Sequence, residues 1–210
     1  KPKSFRSIAS FLSLGAVSFI TFSGAAPAAT ITKADNTSSL DLGVSWGGTA
    51  PGASDIANWS GTYNTAGSLG AALPGSALVW QGITVGNLSG TAAGLISLGG
   101  TGAAVASSSL SIGSSGINMT GANQNLVINA AGLDFSTSQT WTVPAGRNLR
   151  LASSGTGASN SNVDGAGGDA TVITVAGGGV VDANQGAANG FTDYTGKWIV
   201  ESATTLRGVQ

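Results

Sequence analysis

Short apolar segments recur along the chain from about residue 77, and small polar residues separate them. In most of these segments apolar and polar residues alternate, which is the period of a β-strand with one buried face. The segments are LVW at 78–80, ITV at 83–85, LISL at 95–98, LSI at 110–112, INM at 117–119, LVI at 126–128, LDF at 133–135, WTV at 141–143, LRL at 149–151, VITV at 172–175, VV at 180–181 and WIV at 198–200. The glycines between them disfavour helices. The pattern predicts an all-β fold of many short strands.

Three similar apolar segments begin at regular intervals. The steps from Leu126 to Leu149 and from Leu149 to Val172 are both 23 residues, and the next similar segment begins 26 residues later at Trp198. One turn of such a repeat cannot bury its own apolar face, whereas stacked turns bury a continuous thin core. The spacing therefore predicts a β-solenoid, with residues 153–170 as a loop that leaves one of its turns.

A lead-in segment over residues 29–76 differs from the rest, because aromatic residues such as Trp46 and Trp59 are concentrated in it. We predict short strands near Leu40–Trp46 and Ile56–Trp59, joined by a loop. The terminal turn of a solenoid needs cover, since an open turn invites pairing with another strand. The lead-in is therefore predicted to cap the first turn.

The first residues have the layout of a secretory signal peptide. Lys1, Lys3 and Arg6 form a basic start, Ile8–Phe22 is largely apolar and uncharged, and Ala26-Pro27-Ala28 fits a small-residue cleavage site. The alternative is a transmembrane anchor, which needs about 20 apolar residues, more than this segment has. We predict cleavage of residues 1–28, export to the medium or the outer cell surface, and no further transmembrane segment.

Composition narrows the possible functions. The chain of 210 residues contains 34 glycines and only 8% charged residues, while 41% are apolar. Cysteine and histidine are absent, which excludes disulfides, Cys/His zinc sites and mechanisms that depend on either residue. Eight basic residues against nine acidic ones provide no positive surface for nucleic acid.

Acidic residues are the remaining source of chemistry. Paired carboxylates hydrolyse glycosides at suitable spacing, and some β-helix enzymes cleave acidic polysaccharides with clustered acids and a basic residue. The candidates here are Asp164, Asp169 and Asp182, with Arg147, Arg150 or Arg207. The alternative, which we favour, is that these acids are solvated loop residues, as aspartates in Gly-rich turns commonly are.

One short segment contains two aspartates among glycines, as calcium-binding turns do. It is NVDGAGGD at 162–169, and its carboxylates with backbone carbonyls would hold one Ca²⁺ weakly. The motif occurs once, and we favour a loop without metal. We therefore assign no catalytic, cofactor-binding or metal-binding residue.

The five tryptophans admit two roles. On the surface they would form a face on which sugars stack. In the interior, Trp46 and Trp59 would plug the first end of the solenoid, while Trp80, Trp141 and Trp198 would fill its turns. We favour the interior role.

Three phrases within residues 40–151 carry a resemblance to a known family. They are Trp46 with a Gly-rich turn and D-x-A-x-W at 55–59, Gly116-Ile117-Asn118-Met119, and Q-T-W-x-V-x-x-G-R-x-L at 139–149, the most specific. The chain thereby resembles the autotransporter-associated β-strand repeat proteins, which are large secreted or surface proteins of bacteria. The resemblance implies a right-handed parallel β-helix, a passenger role without a shared active site, and further turns beyond residue 210.

The expected organisation is a signal peptide at 1–28, a cap at 29–76 and a β-solenoid at 77–210, truncated at its C-terminus. We expect a structural or adhesive passenger segment of a bacterial surface protein, without catalysis or cofactors. A carbohydrate-binding or polysaccharide-cleaving β-helix is the alternative. Surface glycans or other cell-surface molecules are the expected partners.

Overall fold

The computed structural model describes residues 27–70, 73–99, 109–130, 132–135, 137–151, 162–164, 171–183, 194 and 196–208. Within these ranges the chain forms fourteen β-strands and one short 3-10 helix, η1 (Gly43–Trp46). The strands are β1 (Thr30–Thr32), β2 (Ile56–Thr62), β3 (Leu78–Ser89), β4 (Ile96–Leu98), β5 (Ser109–Asn118), β6 (Leu126–Ile128), β7 (Gly132–Asp134), β8 (Gln139–Thr142), β9 (Asn148–Leu151), β10 (Asn162–Asp164), β11 (Val172–Ala176), β12 (Val180–Ala183), β13 (Lys197–Val200) and β14 (Thr205–Gly208). The predicted signal peptide lies outside the described residues except for its last two.

The strands form two sheets in which every strand pair is parallel. Sheet A has the order β1-β2-β3-β5-β8-β11-β13, with β7 and β10 beside this path, and sheet B has the order β14-β12-β9-β6-β4. The chain alternates between the sheets, because β3, β5, β8, β11 and β13 are each followed by a strand of sheet B. The prediction of an all-β fold is confirmed, and its sheets are parallel.

The core consists of apolar side chains stacked in register from strand to strand. In sheet B one ladder joins Ile96, Leu126, Leu149, Val181 and Leu206. The first four are fully buried and Leu206 is half-buried. Each such burial contributes roughly 1.5–3 kcal/mol. In sheet A the corresponding ladder consists of Ala57, Ile83, Ile117, Trp141 and Val175.

The predicted 23-residue repeat is right for one step and wrong for the next. Leu126 pairs directly with Leu149. Leu149, however, pairs with Val181 in sheet B, whereas Val172 lies in sheet A opposite Lys197. Both sheets use short segments of β-branched and apolar residues, so the pattern alone does not tell which sheet a segment joins.

The long strand β5 pairs with two successive strands. Its first three residues are in register with β7 and its last two residues with β8. β10, at Asn162–Asp164, in turn pairs with β7. The predicted loop at 153–170 is therefore wrong at these three residues, because a three-residue strand is too short to leave a period in the sequence. The rest of that loop lies outside the described residues.

The lead-in segment contains two strands, β1 and β2, but only one of them lies where a strand was predicted. The strand at Ile56–Trp59 is confirmed as part of β2, but residues Gly43–Trp46 form a 3-10 helix. Gly47 ends this helix with a left-handed φ of 74°, a conformation that glycine adopts without strain. The turn brings the Trp46 indole back to donate a hydrogen bond to the Leu40 carbonyl at 2.8 Å. Both side chains are buried.

Candidate functional site

The structure places two members of the candidate acidic cluster, Asp164 and Asp182, in different sheets. Asp182 lies in β12 of sheet B, whereas Asp164 belongs to β10, which pairs with β7 in sheet A. Asp169 lies outside the described residues, and so does most of the segment at 162–169 that was considered for calcium. Within the described part of the chain, no group of three or more Asp or Glu side chains could hold a metal ion.

Asp182 instead stands between two arginines on adjacent strands. It is in register with Arg150 on one side and Arg207 on the other, at the strand spacing of about 4.8 Å. The arginines are exposed and Asp182 is half-buried. Opposite charges on neighbouring strands stabilise a sheet by roughly 0.2–1 kcal/mol per pair. The pairing of the strands therefore explains why Asp182 lies between Arg150 and Arg207, and no catalytic role is needed to account for it.

Arg147, the remaining candidate arginine, stabilises a turn. The Arg147 guanidinium donates from Nη1 to the Asn123 carbonyl at 2.9 Å, and the Arg147 amide donates to the Pro144 carbonyl. This contact joins the turn before β9 to the turn before β6. The Gly-Arg pair in the phrase at 139–149 therefore has a structural explanation.

The interior role of the tryptophans is confirmed for four of the five. Trp46, Trp59, Trp80 and Trp141 are buried, and Trp198 is half-buried. At the first end of the stack, the Trp46 ring meets those of Trp59 and Trp80 edge-on at 5.3 and 5.8 Å. These four rings therefore provide no surface on which a sugar could stack.

A shallow groove lies on sheet A and is lined mainly by polar residues. It has a volume of about 280 Å³. Its lining comes from β5, β8, β11 and the residue before β8. The lining residues are Ser114, Ser115, Ser138, Gln139, Thr140, Val172 and Thr174.

The floor of the groove is fixed by Gln139. Its side chain is buried and donates to the Ile112 carbonyl at 3.0 Å, while its Oε1 accepts from the Trp141 indole at 2.9 Å. Gln139 and Trp141 are two residues apart on one strand, so they lie on the same face. The Q-T-W phrase thus provides a polar partner for a buried indole.

The hydroxyl groups of the groove lie on successive strands. Thr140 is in register with Thr174, and Ser114 accepts a hydrogen bond from Gln81 Nε2 at 2.7 Å. Gly116 lets β5 approach β8, because a Cβ there would stand 2.2 Å from the Thr140 carbonyl oxygen. Bulkier residues would separate the strands that carry these hydroxyls.

The groove is chemically uniform. Its exposed polar groups are the hydroxyls of its serines and threonines, which donate and accept hydrogen bonds but carry no charge, because the Gln139 amide is already used by the Ile112 carbonyl and the Trp141 indole. Such a surface fits a neutral ligand with many hydroxyl groups, and it offers no general acid or base of suitable pKa. No pattern in the sequence indicates this groove, since serine and threonine are abundant throughout the chain.

A buried polar network lies close to the first end of the stack and was also missed. Lys33 is only 2% exposed, and its ammonium donates to the carbonyls of Ala34 and Asn36 at 2.7 Å and to Asn36 Oδ1 at 3.2 Å. Burial lowers the pKa of Lys33, and the charge of Asp35 partly offsets this. Tyr63 donates its hydroxyl to the Lys33 carbonyl at 2.8 Å.

Two more titrating groups belong to this network. The Asp35 carboxylate accepts the amide hydrogens of Asn64 and Thr65, and the Asn64 bond is the main cause that lowers the pKa of Asp35. Burial raises the pKa of Tyr63 to about 12. All of these groups serve as partners for backbone atoms, so the network is structural.

Comparison with protein-family models, curated proteins and solved structures gives no match. Within the described residues, no helix has the length and apolar character needed to cross a membrane.

Proposed function

We propose that the chain is an exported segment of a β-solenoid that serves a structural or adhesive role at a bacterial surface. The observation that supports this most is the stacking itself: the chain passes repeatedly between two parallel sheets and builds continuous apolar ladders. Each turn buries its apolar face against its neighbours, as the turns of a solenoid do. In this proposal the solenoid is a right-handed β-helix.

The outward positions fit a display role. One polar row in sheet A joins Thr32, Asn58, Thr84, Asn118 and Thr142, each in register with the next. Thr32 and Asn118 are exposed, Thr84 and Thr142 are half-buried, and Asn58 is buried. The Asn58 amide donates to the Thr32 hydroxyl at 2.8 Å within this row. Uncharged polar rows of this kind hydrate the surface and present hydrogen-bonding groups to glycans or other cell-surface molecules.

Export is tested by expressing the chain in a bacterium and determining the N-terminal residue of the product. We expect a mature chain that begins near residue 29 and is recovered outside the cytoplasm. A Leu14→Lys variant, which interrupts the apolar segment of the predicted signal peptide, should remain uncleaved inside the cell. An uncleaved wild-type chain in the cytoplasm would contradict the proposal.

Adhesion is tested separately, with the purified chain immobilised on beads and offered to bacterial and host cells. Specific retention of cells supports adhesion, whereas a folded, exported chain that retains none leaves a purely structural role. The control is a circular dichroism spectrum of the purified chain, which must show intact strands before the chain is offered to either kind of cell.

Binding of a neutral carbohydrate in the groove of sheet A is a second candidate, supported by its uncharged hydroxyl lining. A glycan array should then give signals with neutral rather than acidic glycans. A Thr140→Val/Thr174→Val variant should lose them, while Thr84→Val, on the same sheet outside the groove, should keep them. Equal binding by both variants would rule out the groove.

A further inference from the structure

Several segments of the chain have the sequence Asn-x-Ser/Thr, which is the acceptor motif for a sugar linked to the asparagine amide. Their asparagines are Asn36, Asn58, Asn87 and Asn118. In a chain so rich in serine and threonine the motif arises easily by chance, so the sequence does not separate a usable acceptor from an accidental one. The fold does, because it places these asparagines in different surroundings.

Two of the side-chain amides are already used inside the fold. Asn58 is only 8% exposed, and its Nδ2 donates to the Thr32 and Ser60 hydroxyls at 2.8 Å. Asn36 is half-buried, and its Nδ2 donates to the Val44 carbonyl at 2.9 Å. A bulky sugar on either nitrogen would displace these partners. Neither asparagine is therefore an acceptor in the folded chain.

Asn87 is exposed, but the hydroxyl of its motif is engaged. Ser89 Oγ lies 2.9 Å from Thr62 Oγ on the neighbouring strand β2. Leu88, between the two motif residues, has both of its backbone groups hydrogen-bonded to the Asn123 side chain. An enzyme that recognises the motif by its hydroxyl would have to break the contact with Thr62. Asn87 is therefore the weaker of the two exposed acceptors.

The motif at Asn118 has both of its recognised groups free. Asn118 and Thr120 are exposed on either side of Met119, which is fully buried and donates its amide hydrogen to the Thr142 carbonyl at 2.8 Å. Asn118 Oδ1 accepts the Thr120 amide hydrogen at 2.9 Å. Neither Asn118 Nδ2 nor the Thr120 hydroxyl is hydrogen-bonded to another described residue. The hydrogen bond to Oδ1 draws electron density from Nδ2, which eases the loss of a proton from that nitrogen.

We infer that Asn118 is a site of N-linked glycosylation, whose donor is a sugar activated at C1 by a phosphate leaving group. In the transfer a bond forms between Asn118 Nδ2 and C1 of the sugar, and the bond from C1 to the phosphate oxygen breaks. The phosphate leaves with the electron pair, and Nδ2 releases one proton. A glycosyltransferase catalyses the step, and this chain supplies the acceptor. The inference goes beyond the proposed surface role and does not depend on it.

The first test offers the purified, folded chain to two transferases that recognise Asn-x-Ser/Thr. One is a soluble enzyme with a nucleotide-activated hexose, and the other is a membrane enzyme with a lipid-linked sugar. Intact mass and peptide mapping then locate the added sugar. We expect Asn118 to be modified in at least one arm, which identifies the source of the sugar, and Asn87 to be modified more slowly. A chain left unmodified in both arms would overturn the inference, and so would a sugar added to Asn58 as fast as to Asn118.

Variants of the motif hydroxyl provide matched controls. Thr120→Ala removes the hydroxyl and leaves Asn118 in place, so this variant should lose the sugar at residue 118. Thr120→Ser keeps a hydroxyl and should retain the sugar. Both changes lie at an exposed residue in a turn, and circular dichroism checks that both variants fold. If Thr120→Ala is modified at Asn118 as fast as the wild type, the enzyme does not read the motif and the inference fails.

Short synthetic peptides test whether the fold makes the selection. Peptides around Asn36 and Asn58 contain the same motif without its buried surroundings, and we expect both to accept the sugar that the folded chain refuses at these positions. Peptides that also stay unmodified would show that the local sequence, rather than burial, excludes these asparagines. That result would remove the structural reason for choosing Asn118.

Discussion

The two ends of the strand stack differ in how their apolar ladders are covered. At the end where β1 and β2 lie, which we call the η1 end, Trp46 packs over Trp59 and Trp80. At the other end, the β13 end, Ile199 and Val200 are exposed. Isoleucine and valine are thus fully buried inside the stack, as at Ile173 and Val175, and exposed at its edge. Burial in these parallel sheets therefore depends on the neighbouring strands rather than on the residue's own strand.

The covered end also has side-chain partners for its backbone atoms, from the buried Lys33 and Tyr63 and the exposed Asp35. Lys33, Asp35 and Tyr63 fix backbone atoms there through side-chain hydrogen bonds. The edge of sheet B is closed at this end as well, because the Ser97 amide donates to the Leu69 carbonyl at 2.9 Å. Covering a turn therefore requires partners for its backbone groups as well as apolar contacts.

The largest effect on stability is expected from removing Trp46, the side chain that covers the η1 end. Trp46→Ala deletes a buried indole that contacts two other rings, and we expect a loss of roughly 3–5 kcal/mol in the free energy of unfolding. Trp198→Ala, at the β13 end, should cost about half as much, since its ring is already partly in solvent. Urea unfolding at a concentration that keeps the chain monomeric measures both. Equal losses would show that the two ends are covered alike.

A second pair of variants compares the middle of a ladder with its end. Leu149→Ala leaves a cavity between two neighbouring strands and should cost about 2–5 kcal/mol. Leu206→Ala, in the same ladder but on the edge strand β14, should cost roughly 1 kcal/mol. Urea unfolding gives both values. A larger loss for Leu206 than for Leu149 would contradict the view that neighbouring turns provide the burial.

Two glycines test how closely the strands approach in the middle of the stack. Gly116 has a φ of 61°, and a Cβ there would meet the Thr140 carbonyl oxygen. Gly146 has a similar φ of 77°, but a Cβ there would have open space around it. In both alanine variants the left-handed backbone should lower the free energy of unfolding by about 1 kcal/mol or more. Only Gly116→Ala should lose further stability, because only there does the added Cβ meet another atom. Thermal unfolding of the two variants measures the difference.

The smallest expected effect is a pH dependence at the η1 end. The pKa of Tyr63 is raised from 10.0 to about 12, so the folded state holds this proton more tightly than the unfolded state. Its contribution to stability is complete below pH 10 and is lost as the pH rises towards 12. Wild type should therefore lose more stability over this interval than Tyr63→Phe, measured by the urea midpoint at each pH. Parallel curves for the two proteins would contradict this assignment.

Much of the fold was predictable because strands have a local signal. Alternation of apolar and polar residues located β6, β9 and β11, and the first 23-residue step matches a real register between Leu126 and Leu149. The local signal failed at η1, where Leu40–Trp46 contains apolar residues but turns too tightly for a strand. It also failed at β10, which has only three residues.

The candidate sites were less predictable. The sequence grouped Asp164 with Asp182 by their proximity along the chain, but the two belong to different sheets. Asp182 and Arg207 are 25 residues apart in number and yet lie side by side. The groove of sheet A is assembled from three strands, so none of its residues is distinctive within its own segment.

The sequence by itself determined the β-strand class, the lack of Cys and His chemistry, and the choice of side chains for the interior. These follow from local periodicity and from which residue types exist in the chain. Only the tertiary structure decided which strand joins which sheet, which charges become neighbours, and which end of the stack is left exposed. Those outcomes depend on register between segments about 23 to 34 residues apart, and register is fixed by packing between turns rather than within them.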